Sequence, residues 1–123
     1  MARIALDAMG GDFAPTAPIA GALFALAELD ANHAVQLVGK TRVIAQQLAQ
    51  LLDGELSGCA GVRDRISIVD APDTISMSDR PTAALRNDSR NPMSVGIRLQ
   101  VDNESDAFVS AGNTGAQLAV SAL

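Results

Sequence analysis

The stretch Arg3-Ile4-Ala5-Leu6-Asp7-Ala8-Met9-Gly10-Gly11-Asp12 decides the fold. Its first half is a short apolar run of strand type, and it passes directly into Met9-Gly10-Gly11-Asp12, a turn-prone segment. The strand is therefore expected to end at about Asp7. Thr16 is placed to cap a helix with Pro18 at its second position. Ile19, Leu23, Leu26 and Leu29 follow at the spacing of one buried helical face. The opening unit is strand, glycine loop, helix.

The same unit recurs. Ala34 to Val38 is a continuous apolar strand stopped by Gly39, and Thr41 opens a helix with Ile44, Leu48, Leu51 and Leu52 on one side. Asp53 to Gly61 reads as a glycine-containing loop, and Ile66, Ile68 and Val69 make a third strand ending at Asp70-Ala71-Pro72-Asp73. Pro81 suits the first turn of a helix to about Asn87, Asp88 to Pro92 is a break, and Met93, Ile97, Leu99 and Val101 predict another helix before Asn103. Ala107 to Ser110 is a fourth short strand, followed by Gly112-Asn113-Thr114-Gly115 and a helix just begun over Ala116 to Leu123. Alternating strands and helices imply right-handed crossovers and a three-layer α/β/α architecture around a mostly parallel sheet, incomplete within this chain. Ligands of such sheets collect beyond the carboxyl ends of the strands, so the loops after Asp7 and after Ser110 belong to one rim.

Composition narrows the classes of function. With 123 residues the chain supports one domain, and 48% hydrophobic against 19% charged residues fits a folded protein rather than a disordered one. Three Phe and no Trp or Tyr leave a core of Ala, Leu, Ile and Val. The net charge of −5 and the lack of a basic cluster interleaved with aromatics disfavour nucleic acid as a partner. No apolar run is long enough to cross a bilayer and the N-terminus has no leader pattern, so a cytoplasmic protein is expected. One cysteine, Cys59, and one histidine, His33, exclude an intrachain disulfide and leave little for zinc, so no metal is expected. Cys59 sits in a Gly/Ser loop without a neighbouring base and reads as an inert thiol; His33 reads as a loop residue.

Three segments carry candidate chemistry, each with a plainer alternative. In Ser110-Ala111-Gly112-Asn113-Thr114-Gly115-Ala116 the glycines allow close backbone approach, amides at a helix start face outward, and Asn113 and Thr114 add polar contacts for an anion. An isolated turn of this kind more often just caps a helix, and no Lys follows as in a Walker loop. Asp7 and Asp12 bracket the Gly10-Gly11 turn and suit orientation, steering of an anion or acid/base work. Alternatively, Asp7 only terminates a strand and Asp12 only caps a turn. Arg86 and Arg90 are four apart and suit phosphate or an acidic protein, or else a solvated helix face.

In their order along the chain, Ala5 to Asp12 with Pro15 close behind, Leu37-Val38-Gly39, Ile75 to Pro81, Ala84-Leu85-Arg86 and Ala107 to Ala116 resemble one family. It is the bacterial acyl carrier protein to phosphate acyltransferases of phospholipid synthesis. The resemblance spans the whole chain, which would be the N-terminal part, residues 1–123, of a longer α/β domain. It implies a fold related to phosphotransacetylases and isopropylmalate dehydrogenases, a homodimer at full length, no metal or organic cofactor, and acyl carrier protein and inorganic phosphate as partners. Any peripheral membrane contact would fall to parts beyond residue 123. One departure is Asn91-Pro92-Met93 where the family reads Ser-Ser-Met; Pro92 removes a backbone donor and should shift or tighten a helix start there.

The reaction so implied is attack by a phosphate oxygen on the thioester carbonyl, which needs no protein nucleophile but does need two anions positioned and an oxyanion stabilised. Asn113 and Thr114 are the expected catalytic residues, with Ser110, Gly112, Gly115, Gly10, Gly11, Asp12 and Arg86 binding substrate. Residues 1–123 alone are expected to transfer little or no acyl group. Two rivals are a phosphotransacetylase acting on coenzyme A esters and a non-catalytic phosphate-binding module.

Overall fold

A computed structural model describes residues 2–73 and 90–111. Strand β1 (Arg3–Asp7) leads through the glycine turn to helix α1 (Thr16–Glu28), then β2 (Ala34–Gly39), α2 (Thr41–Asp53), a 3-10 helix (Ser57–Arg65) and β3 (Ile66–Asp70). Helix α3 (Pro92–Val101) and strand β4 (Ala107–Val109) complete the described residues. The four strands form one parallel sheet in the order β3-β2-β1-β4. The fold is the α/β/α arrangement that the alternation of elements predicts.

Alternate positions on each strand face opposite layers, as the two-residue pleat requires. Leu37 and Val35, with Ala8 and Ile66, pack beneath Ile19, Leu23 and Leu26 of α1 and Ile44, Leu48 and Leu51 of α2. Ala5 and Val38 turn the other way, toward Leu99 and Val95 of α3, joined by Ala71, Val69 and Phe108. Full burial of a side chain such as Leu23 or Leu37 stabilises the fold by about 1.5–3 kcal/mol. Helix α3 approaches β4 closely because Gly96 has no side chain: a Cβ there would stand 2.2 Å from the Phe108 ring.

Several sequence expectations are corrected in detail. Thr16 is the first residue of α1 and not its cap; Pro15 holds the cap position and no side chain caps the helix. Leu29 falls past the end of α1 and is exposed, so the buried face stops at Leu26. The segment expected as loop from Asp53 to Gly61 runs into the 3-10 helix Ser57–Arg65. The helices expected over Pro81 to Asn87 and from Ala116 lie outside the described residues.

Polar side chains tie the connections to the sheet. Lys40 supplies no cap to α2, and Asp70 at the end of β3 does so instead, its Oδ1 accepting from the Thr41 hydroxyl at 2.9 Å and the Thr41 N–H at 3.4 Å. A carboxylate at a helix N-terminus is favourable both as acceptor and against the helix dipole. Arg65 spreads its guanidinium over the α1–β2 connection, donating to the carbonyls of His33 at 2.9 Å, Leu26 at 3.0 Å and Asp30. One cation thus satisfies carbonyls that the end of α1 leaves open. Asp73 and Arg90 hydrogen-bond to each other twice, through Asp73 N–H to the Arg90 carbonyl and Arg90 N–H to the Asp73 carboxylate. The chain therefore re-enters the described fold beside the point where it left.

Helix α3 starts after Arg90, near the carboxyl end of β3, and its exit leads through Asp106, which meets Arg3 at the opposite end of β1. The helix thus runs antiparallel to the strands, with its N-terminus at the carboxyl rim. Asn91 caps that start: it is extended at ψ 160°, its Oδ1 accepts from Ser94 N–H at 2.9 Å, and Pro92 takes the first helical position, where no donor is needed. Asn-Pro therefore begins the helix cleanly.

A candidate anion site at the carboxyl ends of β1 and β4

From β1 the chain proceeds outward to β2 and β3 on one side, whereas β4 returns to the other side of β1. The strand order reverses between β1 and β4, and at such a switch point the connecting loops diverge and leave a crevice. The register pairs Leu6 with Val109, so the next residues on each strand, Asp7 and Ser110, emerge side by side at the rim. Ser110 Oγ donates to Asp7 Oδ2 at 2.7 Å and Met9 N–H donates to Asp7 Oδ1 at 2.9 Å.

Asp7 is only 4% exposed. Burial, which disfavours the charged form, lifts its carboxyl above the ordinary value of 3.8, and the hydrogen bonds from Ser110, Met9 and Gly10 offset part of that rise. A raised native pKa means that the folded state holds this proton more tightly than the unfolded chain does. Folding stability from this group is therefore greatest at low pH and declines as pH rises through the interval between the unfolded and folded values. Asp7→Asn, which keeps the acceptor for Met9 N–H, is expected to melt above wild type at neutral pH. The advantage should fade as pH falls through the native pKa, as thermal melts over a pH series will read directly.

The crevice beside this pair has a volume of about 380 Å³, within the range of small-molecule sites. Asp7, Ser110, Gly10, Gly11 and Asp12 contribute its polar lining, and Leu6, Phe13, Pro18 and Val109 are among its apolar walls. Phe13 is 78% exposed, an unusual position for the largest apolar side chain of a loop. Gly11 adopts φ +92°, and a Cβ on it would lie 3.4 Å from Ala111 Cβ. The two loops thus approach each other across the crevice at a position whose backbone favours glycine.

Of the residues singled out in the sequence, Gly10, Gly11, Asp12 and Ser110 come together here. Gly112, Asn113, Thr114, Gly115 and Arg86 lie outside the described residues. Asp7, read from the sequence as acid/base group or strand terminator and left out of the substrate-binding set, also lines the crevice. The signal for it was a carboxylate ending a strand immediately before a glycine turn. Cys59 packs against the core under α1 and α2 and does not line the crevice. His33 accepts from Ala2 N–H through Nδ1 at 3.2 Å, at the opposite end of the sheet, as a loop residue.

The chain is thus an open parallel α/β sheet with a switch-point crevice rimmed by glycine and small polar residues, the place where sheets of this class generally take their ligands. A family model described as fatty acid synthesis protein matches residues 2–123, and the chain belongs to that family. It is 42% identical over 119 residues to a phosphate acyltransferase of Salinibacter ruber (strain DSM 13855 / M31), covering 97% of this chain and 33% of that protein. Against a phosphate acyltransferase of Vibrio campbellii (strain ATCC BAA-1116) it is 42% identical over 118 residues, 96% of this chain and 32% of the relative. Against one of Koribacter versatilis (strain Ellin345) it is 44% identical over 117 residues, 94% of this chain and 30% of the relative. The chain thus spans about a third of the length of the curated relatives it matches.

Proposed function

We propose that this chain is the N-terminal part, residues 1–123, of an acyltransferase domain that moves a fatty acyl group from acyl carrier protein to inorganic phosphate. The observation that carries this reading is the coincidence of two facts: relatives over 40% identical across nearly the whole chain are named phosphate acyltransferase, and the crevice lies at the switch point. In the proposed step a phosphate oxygen forms a bond to the thioester carbonyl carbon, the carbon–sulfur bond breaks, and the carrier thiolate leaves and takes up a proton. Ser110, Gly10, Gly11 and the turn expected through Gly112, Asn113, Thr114 and Gly115 would hold the phosphate or the oxyanion. Asp12 and Arg86 would orient it. The apolar walls beside the polar lining suit a substrate that joins an anion to hydrocarbon. The reading carries with it a cytoplasmic homodimer that works without metal or organic cofactor. No helix among the described residues is long and apolar enough to cross a membrane.

The decisive experiment supplies the full-length protein with acyl carrier protein thioester and phosphate and follows acyl phosphate. Acyl transfer from coenzyme A esters in preference to the carrier thioester would favour a phosphotransacetylase. Phosphate binding with no transfer from either donor would favour a non-catalytic module. Because phosphate is itself the nucleophile, Cys59→Ala is expected to retain wild-type turnover; a trapped acyl thioester on Cys59 would defeat direct attack.

A further inference from the structure

The lining of the β1/β4 crevice changes character along the chain. Gly10, Gly11 and Asp12 add no hydrocarbon side chain to it, whereas from Phe13 onward Ala14, Ala17 and Pro18 are apolar, as is Val109 at the end of β4. Much of this apolar surface stands in water: Phe13 is 78% exposed and Val109 50%. Phe13 is nonetheless held in place, because its carbonyl accepts from Ala17 N–H at 3.0 Å, which ties the backbone that carries the ring to the first turn of α1. Apolar groups kept at the wall of a crevice instead of in the core gain by taking up hydrocarbon from a ligand.

We propose that the apolar part of this crevice seats the carbons of the fatty chain nearest the reacting group, and that Phe13 is the specificity residue that lies against them and makes affinity depend on chain length. This rests on the reading of the crevice as the site of acyl transfer to phosphate. The occupant follows from the continuity of the lining: Asp12 and Phe13 are neighbours in sequence and border one cavity, so what fills it carries a polar head joined directly to hydrocarbon. The acyl-transfer reading makes that hydrocarbon an unbranched chain. Size agrees. An apolar cavity of about 150 Å³ takes a benzene-sized hydrocarbon, so a crevice of about 380 Å³ accommodates a tetrahedral head group and a run of roughly eight carbons. Ala14 and Ala17 leave room for the chain where larger side chains would close the space, and Phe13 supplies the largest apolar side chain of the lining.

The test is calorimetric titration of the full-length protein with methyl-, butyl-, octyl- and dodecylphosphonate, whose head group is constant, so that ratios of affinity along the series isolate the tail. In wild type, affinity is expected to rise by about two- to fourfold for each methylene taken into the crevice, the upper figure being that of a fully buried group. Phe13→Ala is expected to weaken octylphosphonate by about three- to tenfold, roughly half the effect of burying a whole Phe side chain, and to change methylphosphonate little. Phe13→Leu, which keeps an apolar side chain, should restore most of the length dependence. Ala17→Leu, a good helix former that fills the crevice from α1, should flatten that dependence as Phe13→Ala does. A length dependence that survives unchanged in Phe13→Ala, or methylphosphonate binding as tightly as octylphosphonate, overturns the proposal and leaves the anion site standing. A loss in Phe13→Ala that is equal for every phosphonate and comes with a lower melting temperature means that Phe13 packs against the remainder of the longer protein, and overturns it as well. Failure of every phosphonate and of phosphate to bind overturns the anion site itself, and this inference with it. Phe13 and Ala17 are exposed, so both variants should fold; if Phe13→Ala does not, Ala17→Leu decides by the same criterion.

Discussion

Asn113→Ala in the full-length enzyme is expected to lower turnover by about one to three powers of ten, the usual cost of deleting one donor to a developing oxyanion. Asn113 lies three residues beyond Ser110, which the sheet register delivers to the switch-point rim beside Asp7. The melting temperature should change little, because a polar Asn in a glycine-rich stretch adds no apolar side chain to a core. Gly112→Val probes the backbone of the same turn, since a branched side chain blocks close approach of an anion whatever Asn113 donates. Steady-state kinetics with carrier thioester and varied phosphate, beside thermal melts, separate the outcomes. If both variants melt normally and keep wild-type turnover and phosphate dependence, the turn only caps a helix and the assignment fails.

What the sequence revealed and what it hid follow from how local each signal is. The four strands were legible because each is a short, mainly apolar run closed by a turn residue, as in Ala34 to Gly39 with Gln36 its one polar side chain, and buried parallel strands produce that pattern. Helix α2 was legible from Ile44, Leu48 and Leu51 on one face. The cap of α1 was misread because Thr16 is a favoured cap type, whereas Pro15 in fact holds the position without any side-chain bond. The 3-10 helix was missed because Gly58 and Gly61 interrupt it and a three-residue repeat offers no 3.6-residue stripe. Asp7 was undervalued for a different reason. Its partner Ser110 is 103 residues away, and only the pairing of β1 with β4 brings the two side chains together. A strand-final aspartate means little until the neighbouring strand is known.

Gly11→Val is expected to cost the folded protein about 1–3 kcal/mol through backbone strain alone, because φ +92° is a conformation that side chains with a branched Cβ strongly resist. The effect on activity should be larger. The loop that carries Gly11 faces Ala111 at a distance that a Cβ would close to 3.4 Å, so the γ-methyl groups of valine would project into the space between the two loops. A displacement of about 1 Å at a positioning loop is enough to lower turnover roughly a hundredfold. Gly11→Ala separates the two causes. It imposes the same backbone strain, yet its Cβ meets Ala111 at ordinary van der Waals distance, so it should share most of the stability loss and recover much of the turnover. Gly21→Ala supplies the internal standard: Gly21 lies in α1 with nothing within 4 Å of its would-be Cβ, and the change should stabilise the helix by about 0.5–1 kcal/mol without touching kinetics. If Gly11→Val keeps both wild-type turnover and wild-type phosphate dependence, the crevice between β1 and β4 is not where the reaction takes place.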